Sequence, residues 1–332
     1  MLILCYLNLD LIYVNISIVK FWYFMKRILL TFFIVFASIY CGAVDVFTKD
    51  DSVVLRNNAI ECIIQPKIGR MMHLSLIGGE NILWVDEKAE ENAPEKHFWK
   101  NYGGLKVWLW KQNDWKKIYG KGWPPPREMD LGPYSFELIT NGVRLSSPVI
   151  PGYQMQIVQE FIVADDETKR VEHIVDLKHI APSEKTSDAC VGLWLVAQVP
   201  TVNTEIFAEL TCADNNLYSL DSNAAVRKEK ISNNFYRLYQ EDKNANAKSG
   251  MMGNKIVFMT ANGTKCSFVR KGESYLHKLG EEMQVFFSPK VSADFSPSAG
   301  PYAELEFVTE VFCKGKLHGN KLELYYELEQ NK

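Results

Sequence analysis

After residue 43 no stretch of this chain carries apolar residues at a sustained helical period, which leaves strands as its main elements. Charge of one sign is never concentrated. The formal net charge of the 332 residues is −3, and no basic block or stripe stands out. A nucleic-acid partner is therefore not expected, and the acidity is too slight to call for a cationic one. None of the seven cysteines stands in a C-x-x-C pair, so zinc-ribbon and dithiol-redox motifs are unsupported. The G-x-S-x-G nucleophile turn and the P-loop are missing. Six histidines are scattered without the His/Asp/Glu spacing of a metal site, so no metal and no cofactor is expected. There is no internal repeat and no low-complexity linker, which makes one globular domain the simplest organisation.

The N-terminus has its own logic. Residues 1–24 are apolar and aromatic, broken by Asp10 and Lys20. Met25-Lys26-Arg27 then opens an apolar run that ends in small residues at Gly42-Ala43, the three zones of a secretory signal. We read Met25 as the true start, 1–24 as an upstream extension, 25–43 as a signal peptide and 44–332 as the mature domain. A lipid anchor at Cys41 is the first rival, though Tyr40 is bulky for it; an uncleaved membrane anchor is the second. All three export the globular part, periplasmic or secreted, with membrane contact only through the leader. N-terminal sequencing of the secreted product is expected to start near Val44, and a product retaining 1–24 would overturn this. Cys62, Cys190, Cys212, Cys266 and Cys313 remain after the leader, an odd set with at least one free thiol. Small buried hydrophobes are their simplest role, and sequence selects no pair among them.

What the mature part does contain is strand after strand. Runs at 52–55, 59–65, 70–77 and 82–85 are separated by turn residues, and 86–98 reads as a loop or short helical turn. Further runs follow at 134–140, 142–146, 154–163, 169–179 and 191–198, with Asn141-Gly142 as the strongest hairpin signal and Asp165-Asp166-Glu167 as another. Strands in 201–250 are hard to place. Runs at 255–260, 265–270, 283–287, 303–312 and 321–329 close the chain. Many short strands at this spacing argue for a sandwich or barrel.

One segment stands apart, 101–127, which holds Trp108, Trp110, Trp115 and Trp123 of eight tryptophans, with Trp99 just before it. After Gly103-Gly104, Leu105, Val107 and Leu109 alternate with Lys106, Trp108 and Trp110. Period-two alternation is that of a strand, but its second face carries indoles and a cation. Indoles beside a hydrogen-bonding head suit stacking on a sugar ring. They equally suit a core between two sheets. Pro124-Pro125-Pro126 removes three backbone donors and reads as a surface rim or an extended crossing segment.

The order of Pro66-x-x-Gly69-Arg70, then Gly79-Glu80-Asn81-x-Leu83-Trp84, then Asn101-Tyr102-Gly103-Gly104 with Lys106 and Trp108, then Trp123-Pro124-Pro125-Pro126 resembles the galactose mutarotase-like (aldose 1-epimerase) superfamily, and within it a branch of unknown function. The likeness runs from about Val53 to Phe312. It implies an all-β fold, a large antiparallel β-supersandwich with a carbohydrate cleft on one sheet. It also implies a glutamate base on a late strand, and the matching stretch holds Glu304 and Glu306 on one strand face, as base and hydroxyl acceptor or as a solvated surface. The family's acid, a middle-strand histidine, has no counterpart here. The nearest stretch, 191–198, offers Trp194 and Gln198, which suit sugar binding but not proton transfer. His97, Lys106 or a tyrosine is left as the acid, while His173 reads as a sheet histidine. Arg70 either meets ligand or pins a turn, and Asn101 either meets ligand or orients the Gly-Gly turn. With Trp110 these complete the expected binding set for a mono- or oligosaccharide. Three functions stay open: an exported carbohydrate-binding protein with weak or no catalysis, an active aldose 1-epimerase, and a structural envelope domain.

Overall fold

The computed structural model describes residues 25–26, 44–92, 100–164, 168–180, 184–186, 189–211, 217–219, 224–273, 280–288, 301–313, 316–317, 319 and 321–330. The leader, His97, Trp99, Cys212 and the 165–167 turn lie outside them, apart from Met25 and Lys26. By internal contacts the chain divides into Met1–Ala43 and Val44–Lys332. No described helix is long and apolar enough to cross a membrane.

In chain order the strands are Asp45–Lys49 (β1), Ser52–Arg56 (β2), Ile60–Gln65 (β3), Arg70–Leu76 (β4), Leu105–Trp110 (β5), Ser135–Ile139 (β6), Gly142–Ser146 (β7), Met155–Val163 (β8), Arg170–His179 (β9), Cys190–Pro200 (β10), Glu205–Leu210 (β11), Tyr218–Ser219 (β12), Arg227–Lys230 (β13), Phe235–Tyr239 (β14), Ala247–Met251 (β15), Gly253–Met259 (β16), Thr264–Lys271 (β17), Met283–Ser288 (β18), Tyr302–Cys313 (β19), Lys316–Leu317 (β20) and Lys321–Gln330 (β21). Short helices lie at Ala89–Asn92 (α1), Gln112–Ile118 (α2) and Arg127–Asp130 (α3). The body is an all-β sandwich of two large antiparallel sheets. One runs β1-β2-β3-β4-β5-β10-β19-β18-β15-β12, with β20 on β19; the other runs β13-β14-β11-β16-β17-β21-β9-β8-β7-β6.

The second sheet follows its sequence pattern directly. On β8 Met155, Ile157, Gln159, Phe161 and Val163 are fully buried, while the residues alternating with them are half-buried. That is a sheet with one face on the core. Central strands of the first sheet behave differently. Every residue of β5 is buried, and so is nearly all of β10. A strand buried on both faces needs a second covering layer, and helices α2 and α3 with the Trp123–Pro126 segment belong to that part of the chain. Side-chain amides tie the two sheets together: Gln159 Nε2 donates to Gly69 O at 3.2 Å, and Asn57 Nδ2 to Ala164 O at 3.3 Å. His173 fits the sheet-histidine reading, fully buried between Tyr326 OH at 2.6 Å and Gln159 Oε1 at 3.1 Å. Burial pushes its pKa down to about 3, which keeps it neutral.

Four expectations need correction. The run at 82–85 is no strand: only Val85 bridges to Gly103, and Trp84 N donates instead to Gln198 O at 2.8 Å. Helix α2 lies where no helical period is visible, because only Trp115 and Ile118 on it are buried. Of the two readings of the triple proline, the rim alone does not hold, since Pro125 and Pro126 are buried while Trp123 is 41% exposed. Cys190 and Cys313 are also not isolated hydrophobes but form a disulfide across β10 and β19; Cys62 and Cys266 are free and buried.

Candidate functional site

Residues directly opposite one another in an antiparallel sheet share a face. In the first sheet Lys106 lies opposite Val196, which lies opposite Glu306, which lies opposite Gln284. One pair along, Trp108 faces Trp194; one pair the other way, Gln198 faces Glu304. Lys106, Trp108, Trp110, Trp194, Gln198, Glu304 and Glu306 therefore stand on a single face, away from the Leu105, Val107 and Leu109 side. Lys248 on β15, opposite Phe286, joins the same face.

Glu306 is at the centre of this face and fully buried. Its carboxylate accepts the Trp194 indole N–H at 2.7 Å and meets the Lys248 ammonium at 3.1 Å. The Lys248 ammonium also lies 5.0 Å above the Trp194 ring. Burial pushes the Glu306 carboxyl up to about 7; Lys248 pulls it back, the neighbouring Glu304 adds to the rise, and the Lys248 and Trp194 hydrogen bonds oppose it. Glu304 is half-buried and accepts from Gln198 Nε2 at 2.9 Å. Lys106 is fully buried with its ammonium 4.4 Å above the Trp108 ring. Burial, reinforced by the Arg70 guanidinium, brings Lys106 down to about 8, while Glu304, Asp130 and Glu306 oppose the fall. A carboxyl raised towards neutrality and an ammonium lowered towards it thus share one sheet face.

The tryptophans pack against one another. Trp108 sits edge-on to Trp115, Trp123 and Trp194 at centroid distances of 6.0, 6.1 and 5.3 Å. Its indole N–H donates to Asp130 Oδ1 at 2.7 Å, and that oxygen also accepts from Arg70 Nη2 at 2.7 Å. Arg70 is completely buried, and its other nitrogen donates to Gly103 O at 2.8 Å. Arg70 therefore pins the Gly-Gly turn. Asn101 is buried beside that turn, with Oδ1 accepting from Gly103 N at 3.4 Å. Trp110 is buried under the Lys111 ammonium, 4.6 Å from its ring. His97 lies outside the described residues.

Sequence reasoning missed Lys248 and Asp130. Lys248 lies in the polar stretch before residue 250, and nothing near it signals a partner at Glu306. Asp130 follows the proline segment as an ordinary helix-end acid. One group of metal-type ligands occurs among the described residues, Cys190, Glu310 and Cys313, whose ligand atoms lie within 4.8 Å; both sulfurs are engaged in the disulfide.

No protein-family model and no curated protein matches the sequence. Among solved structures, a candidate mutarotase, YeaD from Salmonella typhimurium, superposes with a TM-score of 0.53 at 11% identity, over 88% of this chain and 95% of that one. The fold is galactose mutarotase-like. A second structure, HI1317, matches over 86% of this chain and 99% of its own at 11% identity, with a TM-score of 0.48. The face just described is thus one face of a sheet in that fold.

Proposed function

We propose that the 44–332 body is an exported saccharide-binding protein whose site is the face shared by Glu304, Glu306, Lys248 and Gln198. The observation that carries this reading is the Glu306 centre: a buried carboxylate held by an indole N–H and an ammonium, next to a half-buried carboxylate oriented by an amide. Carboxylate, amide and ammonium heads beside aromatic rings supply the acceptors, donors and apolar faces that a pyranose needs. Export rests on the signal-like 25–43 segment.

The test is saturation-transfer NMR on the domain from Val44 with common mono- and oligosaccharides. Transfer is expected with wild type and is expected to fall about tenfold or more in Glu304→Gln, which loses a charged acceptor worth roughly 1.5–3 kcal/mol. Silence with every sugar would overturn the reading.

The displaced pKa values of Glu306 and Lys106 favour a second reading, anomer interconversion. Deprotonated Glu306 takes the proton of the anomeric hydroxyl, the ring C–O bond opens, and protonated Lys106 gives its proton to the ring oxygen. Glu306 is in its working form above about 7 and Lys106 in its working form below about 8. The exchange rate is therefore expected to peak between those values, falling on the acid side as Glu306 gains a proton and on the alkaline side as Lys106 loses one. A rate equal to buffer, or a flat profile, removes catalysis and leaves binding.

A further inference from the structure

One cavity among the described residues is lined without Glu306. It measures about 1010 Å³ and opens beside the Gly-Gly turn, over β3 and β4. Gln65 and Met72 form part of its floor. Gln65 is the register partner of Arg70, and Met71 pairs with Leu105 on the opposite, core-facing side. The floor is therefore the same sheet face that carries Lys106 and Trp108, displaced towards the β1 edge.

Its walls are built of cations and phenols. Lys67, Lys100, Lys121 and Arg127 surround the space with the rings of Tyr102 and Tyr119. Against these four cations stand Asp86, Glu87 and Glu90. Glu90 is already engaged by Lys100 and by the Tyr102 hydroxyl. Asp86 is buried and caps the backbone N–H of Lys88 at 3.0 Å. The cationic charge at Lys67, Lys121 and Arg127 faces the cavity, and all three side chains are exposed. A separate cavity of about 510 Å³, lined also by Asp50 and Asp51, shares Ser52 and Lys67 with the first, so Lys67 borders both.

We infer that the 1010 Å³ cavity is a second binding site, for an acidic oligosaccharide. Its volume exceeds what one sugar ring fills and falls in the range of pockets that enclose larger ligands. Tyr102 and Tyr119 offer faces for sugar rings. Lys67, Lys121 and Arg127 offer charge-assisted hydrogen bonds to carboxylates spaced along a chain. The inference rests on the saccharide reading of this face for its ligand class, but it uses none of the residues of the Glu306 centre.

The experiment is calorimetric titration of the domain with a tetramer of galacturonic acid, a neutral maltotetraose control and inorganic phosphate. Binding of the acidic tetramer is expected, weakening as salt is raised because the contacts are exposed charges. The neutral tetramer and phosphate are expected to bind at least about tenfold more weakly. The double variant Lys67→Gln/Arg127→Gln is expected to lose about tenfold or more of the acidic-tetramer affinity. Both side chains are exposed, so the fold should survive, and an unchanged melting temperature verifies that. Glu304→Gln is expected to leave this titration unchanged, which separates the two sites. Equal affinity for acidic and neutral tetramers, an unaffected double variant, or no heat with the acidic tetramer would each overturn the inference. If monosaccharide transfer at Glu304 fails while acidic-tetramer binding persists, the Glu306 reading falls and this one stands.

Discussion

Replacing Asp130 with alanine is expected to lower the stability of the domain by about 4 kcal/mol or more, the cost of leaving a buried charge without its partner. Asp130 is 1% exposed, and one of its oxygens accepts both Arg70 Nη2 and the Trp108 indole N–H at 2.7 Å. Removing the carboxylate strands a guanidinium that is itself completely buried. Arg70 would keep its bond to Gly103 O and a long one to the Asp130 carbonyl at 3.3 Å, which satisfies donors but not charge. For a chain of this size that loss corresponds to a drop in melting temperature of roughly 10 °C. Asp130→Asn keeps an acceptor for Trp108 and removes only the charge, so it should fall between wild type and alanine. Adding Arg70→Met to Asp130→Ala removes the stranded cation and should restore part of the loss, a non-additivity that only a direct interaction produces. Thermal denaturation at neutral pH of wild type, both Asp130 variants, Arg70→Met alone and the double variant decides it. Additive losses, or an alanine variant within about 1 kcal/mol of wild type, would mean that the pair does not carry the turn.

That network explains why the centre of the site was only half legible. Alternation along β5 showed which residues share a face, but alternation alone cannot say whether the second face meets water, ligand or another layer. The answer depends on Trp115 and Trp123, which come from the next turn and helix and pack on Trp108. Helix α2 shows only Trp115 and Ile118 as its buried stripe, too few positions for a period to emerge in seven residues. Part of the second sheet was legible because three of its strands are buried on one face only: β8, β9 and β21 alternate cleanly, and the Asn141-Gly142 turn sets the β6–β7 register.

Glu304 and Glu306 were placed on one face by sequence spacing, and the structure separates their surroundings. Glu306 is fully buried, with an indole and an ammonium as partners; Glu304 is half-buried with an amide. Nothing local encodes that difference, because it arises from β10 on one side and from β18 and β15 on the other. Lys248 is 58 residues from Glu306, on a strand reading Ala-Lys-Ser-Gly-Met with little β signal of its own. Edge strands such as β13, four charged residues long, were unreadable for the same reason: sheet pairing, not propensity, makes them strands.

The Gly-Gly turn was the most legible feature of the site, and it carries the second large expected effect. Gly103 has φ of +81°, and a Cβ there would sit 2.2 Å from the Trp84 carbonyl oxygen and 2.7 Å from Val85 Cα. Both are backbone atoms, and the first is the acceptor for Gly104 N at 2.8 Å, so neither can move without breaking the turn. Gly103→Ala is therefore expected to cost about 3 kcal/mol or more, combining left-handed strain with a main-chain clash. Gly78→Ala is the matched control: its φ is +71°, but nothing lies within 4 Å of the added Cβ. It should show the conformational cost alone, about 1–2 kcal/mol. The difference between the two melting temperatures measures the close approach itself. Because Arg70 donates to Gly103 O, displacement of this peptide also loosens the arginine that shares Asp130 with Trp108. A soluble Gly103→Ala protein should therefore show a red-shifted tryptophan emission, while Gly78→Ala keeps the wild-type spectrum. Equal melting temperatures with identical spectra would mean that the turn needs glycine only for its dihedral angle, and that the packing of Trp84 against it plays no part in setting the site.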